Sequence, residues 1–224
     1  MINSVGKMMQ KLTRLSLFFF VLTVMSFASS ASASEEAWAK LKDGSHFALI
    51  RHALAPGTGD PANFDVAKCE TQRNLNDTGR EQARAIGARF RDNGIATAAV
   101  YSSQWCRCLE TADLLALGDV TPLPIINSFF QDYEKRAPQT EAALAWLAAA
   151  DLSRPTILVT HQVNISALTN VYPASGEIIV VKREENGALN VAGRIRTDLN
   201  ETARQLPAEP FEMVRATGVE PVTY

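Results

Sequence analysis

PTILVT, residues 155–160, runs apolar through its centre instead of alternating with polar side chains. A strand of that kind is covered on both faces, as in a parallel sheet flanked by helices. Outward from it, SHFALIR at 45–51 reads as a second buried strand and Ala98 to Ser102 as a third. Helical segments lie between them. Asn76-Asp77-Thr78 offers capping side chains for a helix from about Gly79 to Asp92. Leu75, Ala83, Ile86 and Phe90 give it an apolar face, and Gly94 is a stop signal. Residues 105–117, with Leu109, Ala112, Leu115 and Ala116 inward, and Gln139 to Ala150 supply two more helices, and 163–169 can start another. Glu177 to Lys182 and Leu189 to Arg196 read as strands joined at Asn186-Gly187, a strong hairpin turn signal. The alternation predicts one three-layer α/β/α sandwich, mainly parallel with an antiparallel edge. From about Asp198 the chain carries three prolines and no pattern to assign.

The N-terminus has a different character. Lys7, Lys11 and Arg14 precede an uncharged, mainly apolar run from Leu15 to Phe27, and small residues follow to Ala33. That order is expected of a secretory signal peptide cut after Ala33. A bilayer span needs about 20 apolar residues, more than this run offers. Residues 34–224 then form a single domain with room for a sizeable core. The formal charge of −2 becomes −5 once the three basic residues of the leader are gone. An acidic body is a poor partner for nucleic acid. Export to the periplasm or beyond makes a disulfide plausible, from Cys69 to Cys106 or Cys108, with one thiol left over. A metal site is not indicated, because His46, His52 and His161 are the only histidines and no zinc-type spacing occurs.

Ligands of open α/β sheets sit outside the carboxyl ends of the strands. The first strand ends in Arg51-His52, the second in Ser102-Ser103 with Arg107 just beyond, and PTILVT runs into His161. Each feature alone is commonplace, but together they bring two arginines and two imidazoles to one edge. Guanidinium groups match phosphate oxygens bidentately. A neutral imidazole is a competent nucleophile once the other ring nitrogen is oriented. A second, protonated imidazole would add positive charge. Phosphoryl transfer depends mainly on positioning and charge stabilisation, which such a set provides with no cofactor.

LIRHA at 49–53, YSSQWCRCLETA at 101–112 and ILVTHQ at 157–162, in that order, resemble the three core motifs of the histidine phosphatase (phosphoglycerate-mutase-like) superfamily. RNLNDTGREQA at 73–83 resembles its first-helix segment, and the resemblance spans about residues 45–181. It implies that His52 becomes phosphorylated, that Arg51, Arg107 and His161 hold the phosphoryl group, and that water then releases phosphate. Two positions depart from the pattern. Ala53 stands where glycine is frequent, and His161 is followed by Gln162, not by the proton-donating aspartate of the acid-phosphatase and phytase branch. The general acid is therefore sought in NSFFQDYEKR at 127–136, with Asp132 favoured over Glu134, and Glu177 as a third choice.

The expected activity is metal-independent hydrolysis of a small-molecule or glycan-linked phosphomonoester. The alternative is a non-catalytic phosphate- or phosphoglycan-binding module on the same fold, and export disfavours a third reading, a phosphohistidine protein phosphatase. APGTGDPANF at 55–64, rich in turn formers, is placed to face substrate. Phe129, Phe130 and Trp105 are weighed as pocket or core, and Asn164 and Arg73 as possible phosphate neighbours.

Overall fold

The computed structural model describes residues 34–197, so the expected leader at 1–33 and the tail from 198 lie outside the described residues. Helix α1 covers residues 34–40. There follow β1 (His46–Arg51), α2 (Asp77–Asp92), β2 (Ala99–Ser102), α3 (Cys106–Leu115) and β3 (Val120–Pro122). The order continues with α4 (Arg136–Ala149), β4 (Thr156–Thr160), α5 (Gln162–Thr169), β5 (Ile178–Arg183) and β6 (Leu189–Ile195). The strands form one sheet in the order β3-β2-β4-β1-β5-β6. The first four are mutually parallel, and β5 is antiparallel to both β1 and β6. The expected mainly parallel sheet with an antiparallel edge is thus the observed one.

The three layers follow from period-two burial. Ala48 and Ile50 of β1, Ile157 and Val159 of β4, and Ile178 and Val180 of β5 share a core with Ile86, Phe90 and Leu115 of α2 and α3. The intervening Phe47, Leu49, Leu158, Ile179 and Val181 point the other way, to Leu147 of α4 and Ile165 of α5. Each fully buried aliphatic or Phe side chain contributes about 1.5–3 kcal/mol relative to exposure, so the central strands are tied into both layers.

Local signals act as their chemistry suggests. The Asn76 side chain accepts from the Gly79 amide at 2.8 Å and caps α2. Beyond the end of α2, Gly94 adopts φ +79, and Gly187 turns the β5–β6 hairpin with φ +81. Two elements had no clear sequence signal: α1, and β3, which is three residues long and ends at a proline on the sheet edge.

Helices α2 and α3 pack without a side chain between them at one point. A Cβ on Gly87 would lie 2.1 Å from the Leu115 carbonyl oxygen. In an open helix Gly→Ala is stabilising by about 0.5–1 kcal/mol. Here Gly87→Ala should destabilise by about 1–3 kcal/mol through overpacking. A urea denaturation series checks the sign, and a raised midpoint would contradict the close approach.

Candidate active site

Continuation of the parallel ladder beyond the strand ends builds the site. The His52 amide donates to the Thr160 carbonyl and the Ser103 amide to the Val159 carbonyl, both at 2.9 Å. These bonds bring the ends of β1, β2 and β4 level. The His52 and His161 rings consequently meet edge to face, with centroids 5.4 Å apart. The turn after His52 is pinned as well: the Ala53 amide donates to the Thr111 hydroxyl and the Leu54 amide to the Gln82 carbonyl oxygen, each at 3.0 Å. Gly79 of α2 lets this turn approach, since a Cβ there would sit 2.1 Å from the Leu54 carbonyl oxygen.

His52 is buried, and its Nδ1 lies 2.8 Å from the Ala53 carbonyl oxygen. A carbonyl can only accept, so Nδ1 carries the proton and Nε2 keeps its lone pair. Burial first, then the charges of Arg107, Arg51 and Arg73, push the His52 pKa down to about 3 against the pull of the Ala53 bond. The ring is neutral over the whole physiological range. His161 is also buried, with Nε2 2.9 Å from the Ser103 hydroxyl and 3.4 Å from the Cys108 sulfur. Burial, followed by repulsion from His52 and the arginines, holds its pKa well below the ordinary histidine value. With the cations around it unopposed, His161 is held neutral.

Three guanidinium groups surround the histidines. Arg51 donates to the Pro173 carbonyl, and Arg73 to the carbonyls of Gly59 and Ala55. Arg107 is 3 % exposed and pairs with Asp60, Nη1 to Oδ1 at 2.6 Å and Nη2 to Oδ2 at 3.1 Å. Among the described residues, Nε of Arg51 and Nε of Arg107 are buried donors with no acceptor. An unmet buried donor costs about 1–3 kcal/mol, more when charged, and an anion in the cleft is the partner that would meet both. Burial, and then the charge of Arg107, lower the pKa values of Arg51 and Arg73, which is the electrostatic counterpart of the same demand. The cleft these groups line has a volume of ≈ 240 Å³. Among the described residues, no group of three His, Cys, Asp or Glu side chains is placed to hold a metal ion.

Asp60 was not singled out from sequence, although its loop, 55–64, was expected to face substrate. Its carboxylate accepts four bonds: two from Arg107, one from the Trp105 indole N–H at 3.0 Å and one from the Arg73 amide at 3.0 Å. Burial opposes ionisation, but the bonds from Arg107, Arg73 and Trp105 outweigh it and lower the pKa. Asp60 fixes the Arg107 fork and joins three segments at the cleft wall. Only the unusual GTGDP composition hinted at it.

The remaining expected residues divide. Arg51, His52, Arg107 and His161 line one cleft, as do Arg73 and Phe130. Phe129 is core, Trp105 stacks on Phe64 behind Asp60, and Asn164 ties the 126–127 backbone in place. The favoured acid, Asp132, is not part of the cleft wall; its half-exposed carboxylate pairs with Lys135 at 2.8 Å. Glu134 is exposed and also off the wall. Glu177 is 2 % exposed and held by Arg194 at 2.7 Å and by the Ala174 amide at 2.8 Å. Cys69 bonds Cys106, next to Arg107, and Cys108 is the free, buried thiol, its pKa pushed up to about 12 by burial.

Two outcomes follow from this geometry. In a ¹⁵N-resolved NMR titration His52 should remain the neutral Nδ1–H tautomer as pH falls from 8 through 5; a midpoint near 6.5 would contradict its burial among cations. Asp60→Asn should lower kcat/KM by about 10–100-fold, because the amide nitrogen faces a donor and a charge-assisted bond of about 1.5–3 kcal/mol is lost. Steady-state kinetics beside a melting curve checks this, and wild-type kinetics would show that Arg107 needs no such support.

Comparison with known proteins accords with the layout. Residues 47–128 match the sequence pattern of the histidine phosphatase superfamily (branch 1). No curated protein matches the chain by sequence. The solved structure of the protein histidine phosphatase SixA complexed with tungstate is similar at a TM-score of 0.50 and 14% identity, covering 68% of this chain and 97% of that one. A candidate alpha-ribazole-5'-P phosphatase from Escherichia coli str. K-12 substr. MG1655 is similar at 0.50 and 16%, covering 66% and 95%. Identities this low speak to the fold alone. The chain thus carries, over the stretch that contains His52 and Arg107, the signature of the histidine phosphatase superfamily (branch 1), on a domain with the phosphoglycerate-mutase-like fold.

Proposed function

We propose that this chain is an exported, metal-independent phosphatase that hydrolyses phosphate monoesters through a phosphohistidine on His52. The observation that carries the reading is the pairing of a neutral, orientation-fixed His52 with two buried guanidinium Nε–H groups that lack acceptors. A phosphoryl group seated there supplies those acceptors and stands beside the Nε2 lone pair.

In the first step the Nε2–P bond forms while the ester P–O bond breaks, and the electron pair departs with the leaving oxygen. The imidazole becomes cationic as it is phosphorylated, and the Nδ1–H bond to the Ala53 carbonyl steadies that charge. Arg51, Arg107 and Arg73 balance the charge on the equatorial oxygens. A dianion in the cleft also reverses the repulsion that keeps His161 neutral, so this ring can then contribute a proton's charge. In the second step a water oxygen attacks phosphorus, the N–P bond breaks, phosphate leaves and His52 returns to its starting tautomer. Export is supported by the basic-apolar-small order of residues 7–33 and by the Cys69–Cys106 disulfide, a bond that persists in oxidising compartments.

Protein recovered from the extracytoplasmic fraction, with Ser34 at its N-terminus, should hydrolyse p-nitrophenyl phosphate in the presence of a chelator and yield a phosphorylated His52 on rapid acid-free quenching. His52→Ala should abolish both signals. Turnover in that variant would end the nucleophile assignment, and tight phosphate binding with no turnover by wild type would establish the binding-module reading instead.

A further inference from the structure

We propose that the substrate is the phosphate ester of a phenol, whose ring lies against Phe130, Tyr133 and Tyr172 and whose oxygen departs without a proton from the protein. This rests on the phosphatase reading and specifies its leaving group. Two independent observations carry it.

The first is where the exposed aromatic side chains are. Among the described residues the large apolar side chains left exposed include three aromatics: Phe130 at 46 %, Tyr133 at 60 % and Tyr172 at 72 %. All three line the cleft that holds His52, while the exposed aliphatic side chains do not. They reach it from two segments, one between β3 and α4 and one between α5 and β5. Exposed aromatic surface gathered at one mouth marks a binding site for an apolar or ring-bearing group, and rings gain from stacking or edge contact beyond their area.

The second is the proton inventory. Among the described residues Asp60 is the only carboxyl group on the cleft wall, and its two oxygens are already occupied by donors from Arg107, Trp105 and Arg73. It has no proton to give and no free face from which to give one. His161 has Nε2 against the Ser103 hydroxyl and Nδ1 4.0 Å from the Cys108 sulfur, so both ring nitrogens have partners of their own even when a dianion lets the ring take up a proton, and Gln162 is an amide. Asp132 pairs with Lys135 off the wall. With no carboxylic acid free on the described wall, a leaving group departs on its own acidity; the hydroxyls of Tyr133 and Tyr172 are the remaining acids there, and phenylalanine variants test them. A phenol ionises near pH 10, about five or six units below water or an aliphatic alcohol. An alkyl or sugar ester forgoes the roughly 10²–10⁴-fold that a general acid provides, whereas a phenol loses little. In the step itself the Nε2–P bond forms, the aryl P–O bond breaks, both electrons go to the phenolate oxygen, and solvent protonates it afterwards. Stacking alone would also suit a sugar face, but a sugar alkoxide is the leaving group this wall does not serve.

The test uses the purified protein with a series of substituted phenyl phosphates, O-phosphotyrosine, acetyl phosphate (an activated leaving group with no ring), glucose 6-phosphate and phosphohistidine. Across the aryl series kcat/KM should fall steeply with leaving-group pKa, and phosphotyrosine should exceed glucose 6-phosphate by about 100-fold or more. A flat aryl series, glucose 6-phosphate within about tenfold, or phosphohistidine as the better substrate overturns the proposal. Phe130→Ala, Tyr133→Ala and Tyr172→Ala should each raise KM for phosphotyrosine by about 3–10-fold and leave acetyl phosphate unchanged. Tyr133→Phe and Tyr172→Phe keep the ring and should restore the KM for phosphotyrosine that the alanine variants lose. Equal losses on both substrates, or loss in the Phe variants, would show the rings to be scaffold or proton donors. Failure of wild type on every one of these phosphates would overturn the phosphatase reading itself.

Discussion

The amide of His52 donates to the carbonyl of Thr160, in line with the parallel register that pairs Arg51 with Thr160. From that bond the rest of the site follows. It sets the last residue of one central strand level with the last residue of its neighbour, so the next residue on each chain, His52 and His161, emerges at the same height. A slip of one position would turn the two side chains to opposite faces of the sheet. The same register carries Ser103 to the level of Val159 and leaves Arg107 in the first turn of α3, above the same edge. The strands hold this alignment because β1 and β4 are buried on both faces, where breaking a backbone bond leaves groups that water cannot reach.

Much of this was legible in the linear chain, and the reason is periodicity. Strands that read as apolar runs are the ones sandwiched between helices, and the residues that end them necessarily lie at the sheet's carboxyl edge. That is why Arg51, His52, Arg107 and His161 could be grouped without coordinates. The acid could not be found in the same way. Asp132 and Glu134 sit in a segment with no pattern, and nothing in NSFFQDYEKR tells which side chains turn toward the cleft; Phe130 and Tyr133 do, and the carboxylates do not. Asp60 escaped notice for a related reason. Its importance comes from partners 13 to 47 positions away in sequence, which only the closed loop brings together. The charge state of His161 is not legible in the chain either, because isolated side-chain values carry no information about burial.

Electrostatically the cleft is an arrangement of cations kept without a matching number of anions. Asp60 compensates one guanidinium and holds it in place, while Arg51 and Arg73 rest on backbone carbonyls, which supply dipoles and not charge. The histidines respond by staying neutral. This division sets the two imidazoles apart: one has Nδ1 fixed by Ala53 and keeps the lone pair on Nε2, and the other lies between Ser103 and Cys108.

The Cys69–Cys106 bridge closes a span of 37 residues and ends one position before Arg107. Closing a loop of that size removes conformational freedom from the unfolded chain worth about 2–4 kcal/mol. Without the bridge, the closed arc that bears Gln72 and Arg73 would be fastened to the start of α3 by polar contacts only, among them Cys106 N–H to the Gln72 side chain and Arg107 to the Arg73 carbonyl. The bridge therefore ties the segment that leads into α2 directly to the residue before the guanidinium that Asp60 holds, so the position of that fork is set by a covalent bond on one side and an ion pair on the other.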